Sequence, residues 1–137
     1  MRLCAYFFIP CLTLGCASVP QTFREQVSLG APLYKENCAR CHGAGGEGSP
    51  KGPRVVGLSA GALPLDPPSE AKHRKLQFKT VGDVAGFAVS SMPPNDPGSL
   101  SAEEYLAILA FDLQANGIDL KDQKLTLELA KSLEIPR

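Results

Sequence analysis

The sequence predicts an all-α domain built from short helices. Polar helix-start signals stand just ahead of apolar residues at helical spacing. No stretch sustains the period-two alternation of a half-buried strand. The 137 residues are also divided into short pieces by 13 Gly and 12 Pro. A chain of this length holds one small domain with short appendages. Its 14 basic and 14 acidic residues cancel, so it lacks the basic excess a nucleic-acid binder needs. A hydrophobic content of 44% excludes wholesale disorder. A loop-rich domain this small has a modest core and needs a staple: disulfides, a metal or a prosthetic group.

Taken in order, residues 1–15 have the composition of an export signal: Arg2, a mostly apolar run from Leu3 to Leu14, then Gly15. The run falls short of the roughly 20 apolar residues that span a bilayer. A buried N-terminal helix is the alternative, and Pro10 counts against it. Leu12-Thr13-Leu14-Gly15-Cys16 resembles a bacterial lipobox, with the Leu displaced by one position. That resemblance implies cleavage before Cys16 and a lipid on Cys16. The alternative is cleavage nearby, for example after Ala17, by an ordinary signal peptidase. Either route sends the domain out of the cytoplasm, to the periplasm or the outer face of a bacterial membrane. Residues 16–27 then form a polar tether, 28–118 the folded domain and 119–137 a C-terminal extension.

Within the domain, Leu33-Tyr34-Lys35-Glu36-Asn37 has helical character. Pro32 is tolerable there only if the helix starts near Gly30, so that Pro32 falls in the first turn. Thr80-Val81-Gly82-Asp83 marks a second start, with Val84, Phe87, Ala88 and Ser91 following at helical spacing. Ser101-Ala102-Glu103-Glu104 is a capping box; Tyr105, Ile108, Leu109 and Leu113 follow, and Asn116-Gly117 stops the helix. In the extension, Leu125, Leu129 and Leu133 form a weak helical stripe. A helix folded back on its own domain is the simpler expectation; a helix that docks a partner is the alternative.

The cysteines identify the staple. If Cys4 and Cys11 leave with the signal and Cys16 is the anchor, Cys38 and Cys41 remain, too few for a disulfide framework. They stand in Cys38-Ala39-Arg40-Cys41-His42, the C-x-x-C-H pattern of c-type haem attachment. Two thiols at this spacing reach the vinyl-derived carbons on one edge of the macrocycle. The next residue, His42, then presents an imidazole nitrogen to the iron. Three alternatives are weaker. A thioredoxin-like dithiol wants a strand before the first Cys, a zinc site wants a second ligand pair, and a disulfide across two residues would be strained.

The second axial ligand sets the chemistry. Met92, in Ser90-Ser91-Met92-Pro93-Pro94, and His73, in Lys72-His73-Arg74-Lys75, are the candidates. Pro93 and Pro94 exclude helix and hold an extended, stiff segment that could present a thioether reproducibly. His73 sits in a basic run, where a solvated surface histidine is the ordinary case. A Met there could also be a core gap-filler. A His42/Met92 pair fills both faces of the iron and points to electron transfer.

With these residues in view, 28–118 resembles a class I cytochrome c. Gly30 and Tyr34 stand eight and four residues before Cys38, Ile108 and Phe111 match the aliphatic–aromatic pair of the last helix, and Gly52-Pro53 and Met92-Pro93 match two further family pairs. The resemblance implies the cytochrome c fold, with short helices wrapped on one covalently attached haem. It implies close crossing of the first and last helices at Gly30, and a hydrogen bond from the His42 ring to the Pro53 carbonyl. The aromatic contacts expected of the haem are Tyr34, Phe78, Phe87 and Phe111.

The function expected is one-electron transfer by a monomer that docks transiently with a redox donor and acceptor. A lipid anchor on a membrane is expected, and no nucleic acid and no catalytic residues of its own. Lys51, Arg54, Lys72, Arg74, Lys75 and Lys79 could steer an acidic partner. One alternative is the haem-bearing, electron-accepting subunit of a periplasmic oxidoreductase. The other is a ligand sensor, which would require Met92 to leave the iron.

Overall fold

The computed structural model describes residues 18–67, 69, 74, 75 and 77–137. The export signal, Cys16, Lys72 and His73 lie outside the described residues. Among the described residues, helices occur in the order α1 (Phe23–Asn37), α2 (Ala39–His42), α3 (Val81–Ser91), α4 (Ala102–Ala115) and α5 (Leu127–Ser132), with a short 3-10 turn at Leu58–Ala60. Among the described residues there is no strand, only isolated bridges at Ser49–Gly52 and Thr80–Glu134. The fold is all-α, as the sequence predicts.

Capping boxes open three of the helices. Thr22 and Glu25 start α1, Thr80 and Asp83 start α3, and Ser101 and Glu104 start α4, each satisfying end N–H groups from both side chains. The first of these corrects the tether boundary: Phe23 is fully buried and residues 23–27 are helix. Pro32 is corrected too, because it lies in the interior of α1. It sits on the exposed side, as does Ser28, whose carbonyl loses its helical partner. Bulk water can solvate that carbonyl, so the helix runs on.

The main packing is α1 against α4, with α3 against α4 and α5. At the crossing, Gly30 faces the Ala107 backbone, and a Cβ on Gly30 would overlap the Ala107 carbonyl. Phe23, Val81, Leu113 and Leu125 fill one apolar core on that frame.

Residues 119–137 belong to this body. Gln26, fully buried on α1, donates from Nε2 to Leu125 O at 2.9 Å, and its Oε1 accepts from Leu125 N at 2.7 Å. After α5 the chain runs beside the start of α3: Val81 N donates to Leu133 O at 2.9 Å, and Ile135 N to Lys79 O at 3.0 Å. Leu125 is buried ahead of α5, and Leu129 and Leu133 are half-buried. The helix of the extension is therefore shorter than its leucine stripe.

Gly30→Ala tests the crossing. Helix propensity alone favours Ala by about 1 kcal/mol. Backbone overlap outweighs it, and a net destabilisation of about 1–3 kcal/mol is expected. Denaturant unfolding measures this, and an unchanged or raised midpoint would contradict the close crossing.

Candidate functional site

The Cys38–His42 turn follows directly from α1. Cys38 caps α1 through its N–H to Tyr34 O at 2.8 Å, and its own carbonyl accepts from Cys41 N at 3.0 Å and His42 N at 2.9 Å. The turn carries both thiols, half-buried and not joined to each other. The Cys38 thiol is pushed up to about 12 by burial, with Asp112 and Cys41 adding to the effect. A redox dithiol needs the opposite, a stabilised thiolate. Among the described residues no group of three or more His, Cys, Asp or Glu is placed to hold a metal ion. Both facts count against the dithiol and zinc alternatives.

His42 is oriented by the loop that follows. Its Nδ1 lies 2.7 Å from the Pro53 carbonyl. A carbonyl only accepts, so Nδ1 carries the proton and Nε2 keeps a free lone pair. This is the outer support that fixes a ligating imidazole. The loop is itself held at several points. Gly48 N donates to His42 O at 2.7 Å, and Ser49 Oγ to Cys41 O at 2.5 Å. A Cβ on Gly52 would stand 2.9 Å from Cys41 O, so only Gly lets the Gly52–Pro53 run lie this close. Asn116, at the end of α4, accepts from Gly57 N at 2.8 Å and donates to Val55 O at 2.9 Å. The sequence marked Asn116 only as a helix stop.

Beside Cys38, Tyr34 packs on Phe111 with ring centroids 5.1 Å apart, and Tyr34 Oη donates to Gly43 O at 2.9 Å. Asp112, the next residue on α4, was not foreseen as part of the site. Its Oδ1 is closed off from solvent without a hydrogen-bond partner. Burial raises its carboxyl to about 8. The signal in the sequence was an acid directly after Phe111 in an otherwise apolar helix.

Met92 caps the C-terminus of α3 in an extended conformation, its N–H bonded to Ala88 O at 2.9 Å. The segment after it is not the straight strap the prolines suggest. It turns back, with Asp96 N donating to Pro93 O at 3.0 Å. Tyr105 Oη donates to Met92 O at 2.7 Å and accepts from Gly98 N at 3.0 Å. Phe87 packs against Phe78 with the rings tilted and their centroids 5.5 Å apart, in an open cleft beside α3 that Arg74, Lys75 and Lys79 also line. Cys38, Cys41, His42 and Met92 do not line that cleft. Arg74 is turned inward, over the Phe78 ring and onto the Pro64 and Leu65 carbonyls. Lys51, Lys75 and Lys79 are exposed.

These residues fit a c-type haem. The turn offers two unpaired thiols and an imidazole whose outer nitrogen is already bonded, and the sealed Asp112 oxygen stands beside Cys38. Residues 25–111 match a family model described as cytochrome C oxidase, cbb3-type, subunit III. A crystal structure of the sulfane dehydrogenase SoxCD from Paracoccus pantotrophus matches at 25% identity and a TM-score of 0.57, over 97% of this chain and 68% of that one. No curated protein sequence matches the chain.

Asp112 generates a pH prediction. Its folded-state value lies above the ordinary carboxyl value near 3.8. Between that value and about 8 the native state holds a proton that the unfolded chain has released. Its contribution is therefore complete below pH 4 and is lost as the pH rises toward 8, by at most about 1.4 kcal/mol per pH unit. Asp112→Asn should gain stability relative to wild type as the pH rises. Guanidinium unfolding of the haem-loaded protein at pH 5, 7 and 9 checks it; a constant difference would contradict it.

Proposed function

We propose that this chain, which belongs to the family of that model and is a small c-type cytochrome with covalently bound haem c, passes single electrons through a haem held by Cys38 and Cys41 and ligated by His42 and Met92. When bound, the haem supplies a one-electron ferric/ferrous couple. Cys38 and Cys41 hold it through thioether bonds, so it is not lost from an exported protein. His42 would ligate the iron through Nε2, because Nδ1 is committed to Pro53. That hydrogen bond is the observation that carries the reading: it selects the tautomer and strengthens the imidazole as a donor. Met92 gives a soft, weakly donating sulfur that favours ferrous iron and raises the potential relative to a second imidazole. With His42 and Met92 both as ligands, no open position would remain for a substrate, which would suit electron transfer rather than oxygen activation.

Location is part of the same reading. Export by the 1–15 signal and a lipid on Cys16 hold the domain outside the cytoplasm at a membrane face. The support is the residue pattern alone. No helix among the described residues is long and apolar enough to cross a membrane. Transient docking to an acidic partner falls to the exposed Lys51, Lys75 and Lys79, since Arg74 is engaged with its own loop.

Optical spectra of the oxidised wild type and of Met92→Ala test the ligation. A sulfur-to-iron charge-transfer band is expected in the wild type and not in the variant. Identical spectra would remove Met92 as the ligand and reopen His73 or an open site.

The likeness to SoxCD favours a second reading, in which the chain is the electron-accepting subunit of a larger periplasmic oxidoreductase. Gentle isolation of the tagged chain from its native membrane separates the two. A stoichiometric partner enzyme that reduces the haem supports the subunit; a free monomer supports the carrier.

A further inference from the structure

We propose that Tyr105 is the positioning residue for the Met92 ligand, a role that rests on the reading of Met92 as the sulfur donor. The Pro93 and Pro94 nitrogens carry no hydrogen, so the backbone just after Met92 has no donors with which to fix itself. One phenol oxygen closes the segment instead. Tyr105 Oη donates to the carbonyl at its start, Met92 O, at 2.7 Å. The same oxygen accepts from the N–H at its end, Gly98 N, at 3.0 Å. The ring is 8% exposed and stands on the first turn of α4, which is fixed by its capping box and by Tyr105 N to Ser101 O at 3.0 Å. Met92 is thus tied to the helix that crosses α1, and α1 leads into the Cys38–His42 turn.

A weak iron–thioether bond depends on this tie. Tyr105→Phe keeps the ring and removes both hydrogen bonds, leaving the Met92 carbonyl and the Gly98 N–H to find water. The segment then gains freedom, and the sulfur leaves the iron more often. Losing two hydrogen bonds of ordinary net strength shifts the bound-to-detached ratio by about tenfold.

The experiment compares haem-loaded wild type, Tyr105→Phe, Gln26→Ala and Met92→Ala. Gln26→Ala is the stability control, because it too loses two side-chain hydrogen bonds, buried ones to Leu125 rather than part-buried ones to the Met92 segment. Tyr105→Phe should weaken the sulfur-to-iron band and speed carbon monoxide binding to the reduced form by about tenfold. Gln26→Ala should lower the unfolding midpoint but keep the band and the slow carbon monoxide reaction. An unchanged band and rate in Tyr105→Phe overturns the role of Tyr105. Equal weakening in Gln26→Ala also overturns it, since the effect would then be general destabilisation. A wild type with no band, or one matched by Met92→Ala, instead overturns the Met92 ligation itself.

Discussion

Gly30 of α1 lies against the Ala107 carbonyl of α4 with no room for a side chain, and this contact sets the position of every group in the site. Helix α1 runs directly into Cys38, so its angle across α4 fixes where the Cys38–His42 turn stands. Helix α4 reaches the site at three heights. Tyr105 at its start holds the Met92 segment, Phe111 and Asp112 meet Tyr34 and Cys38, and Asn116 at its end pins the loop that carries Pro53. A side chain at position 30 would push the helices apart and move all three sets together. The exclusion is steric, and a close-packed interior relaxes only partly around such a change.

Much of this was legible because it is written locally. The boxes at Thr80–Asp83 and Ser101–Glu104 need only three residues of context, and the sequence placed both. The turn from Cys38 to His42 is contiguous for the same reason. Where the sequence misled, a local rule was applied without its surroundings. Pro32 was confined to a first turn, yet on the exposed side of α1 its missing hydrogen bond costs little. Residues 16–27 looked like a polar tether because their one large aromatic, Phe23, carries no period, although Phe23 is fully buried.

What was not legible depends on partners distant in sequence. Gln26 bonds to Leu125 and Asn116 to Val55 and Gly57, across most of the domain in each case. Nothing near either residue announces the pairing. Tyr105 was counted among apolar positions of its helix, and its ring does pack there. Its hydroxyl, which supports the Met92 segment, has no signature in a hydrophobic pattern. Asp112 was hidden in the same way, since a helical acid is ordinarily solvated and only the packed structure shows its oxygen sealed.

On the proposed ligation, the two axial groups are supported unequally, and the difference bears on function. His42 is held by its ring nitrogen at Pro53 and by its backbone at both Cys38 and Gly48. The Met92 side chain has no donor or acceptor strong enough for such a grip, because a thioether is only a weak acceptor. Its position must come from its backbone: from Ala88 on the helix side and from Tyr105 on the loop side. Farther back, the C-terminal segment at Leu133–Ile135 steadies the start of α3 through Val81 and Lys79. If that sulfur binds the iron, holding it from both sides would limit its movement when the iron changes charge, which would favour rapid electron exchange. The same sulfur with one support removed would leave a vacant iron face open to small ligands. If Met92 ligates the iron, its two backbone ties, to Ala88 and to Tyr105, support the carrier reading over the ligand-sensor reading.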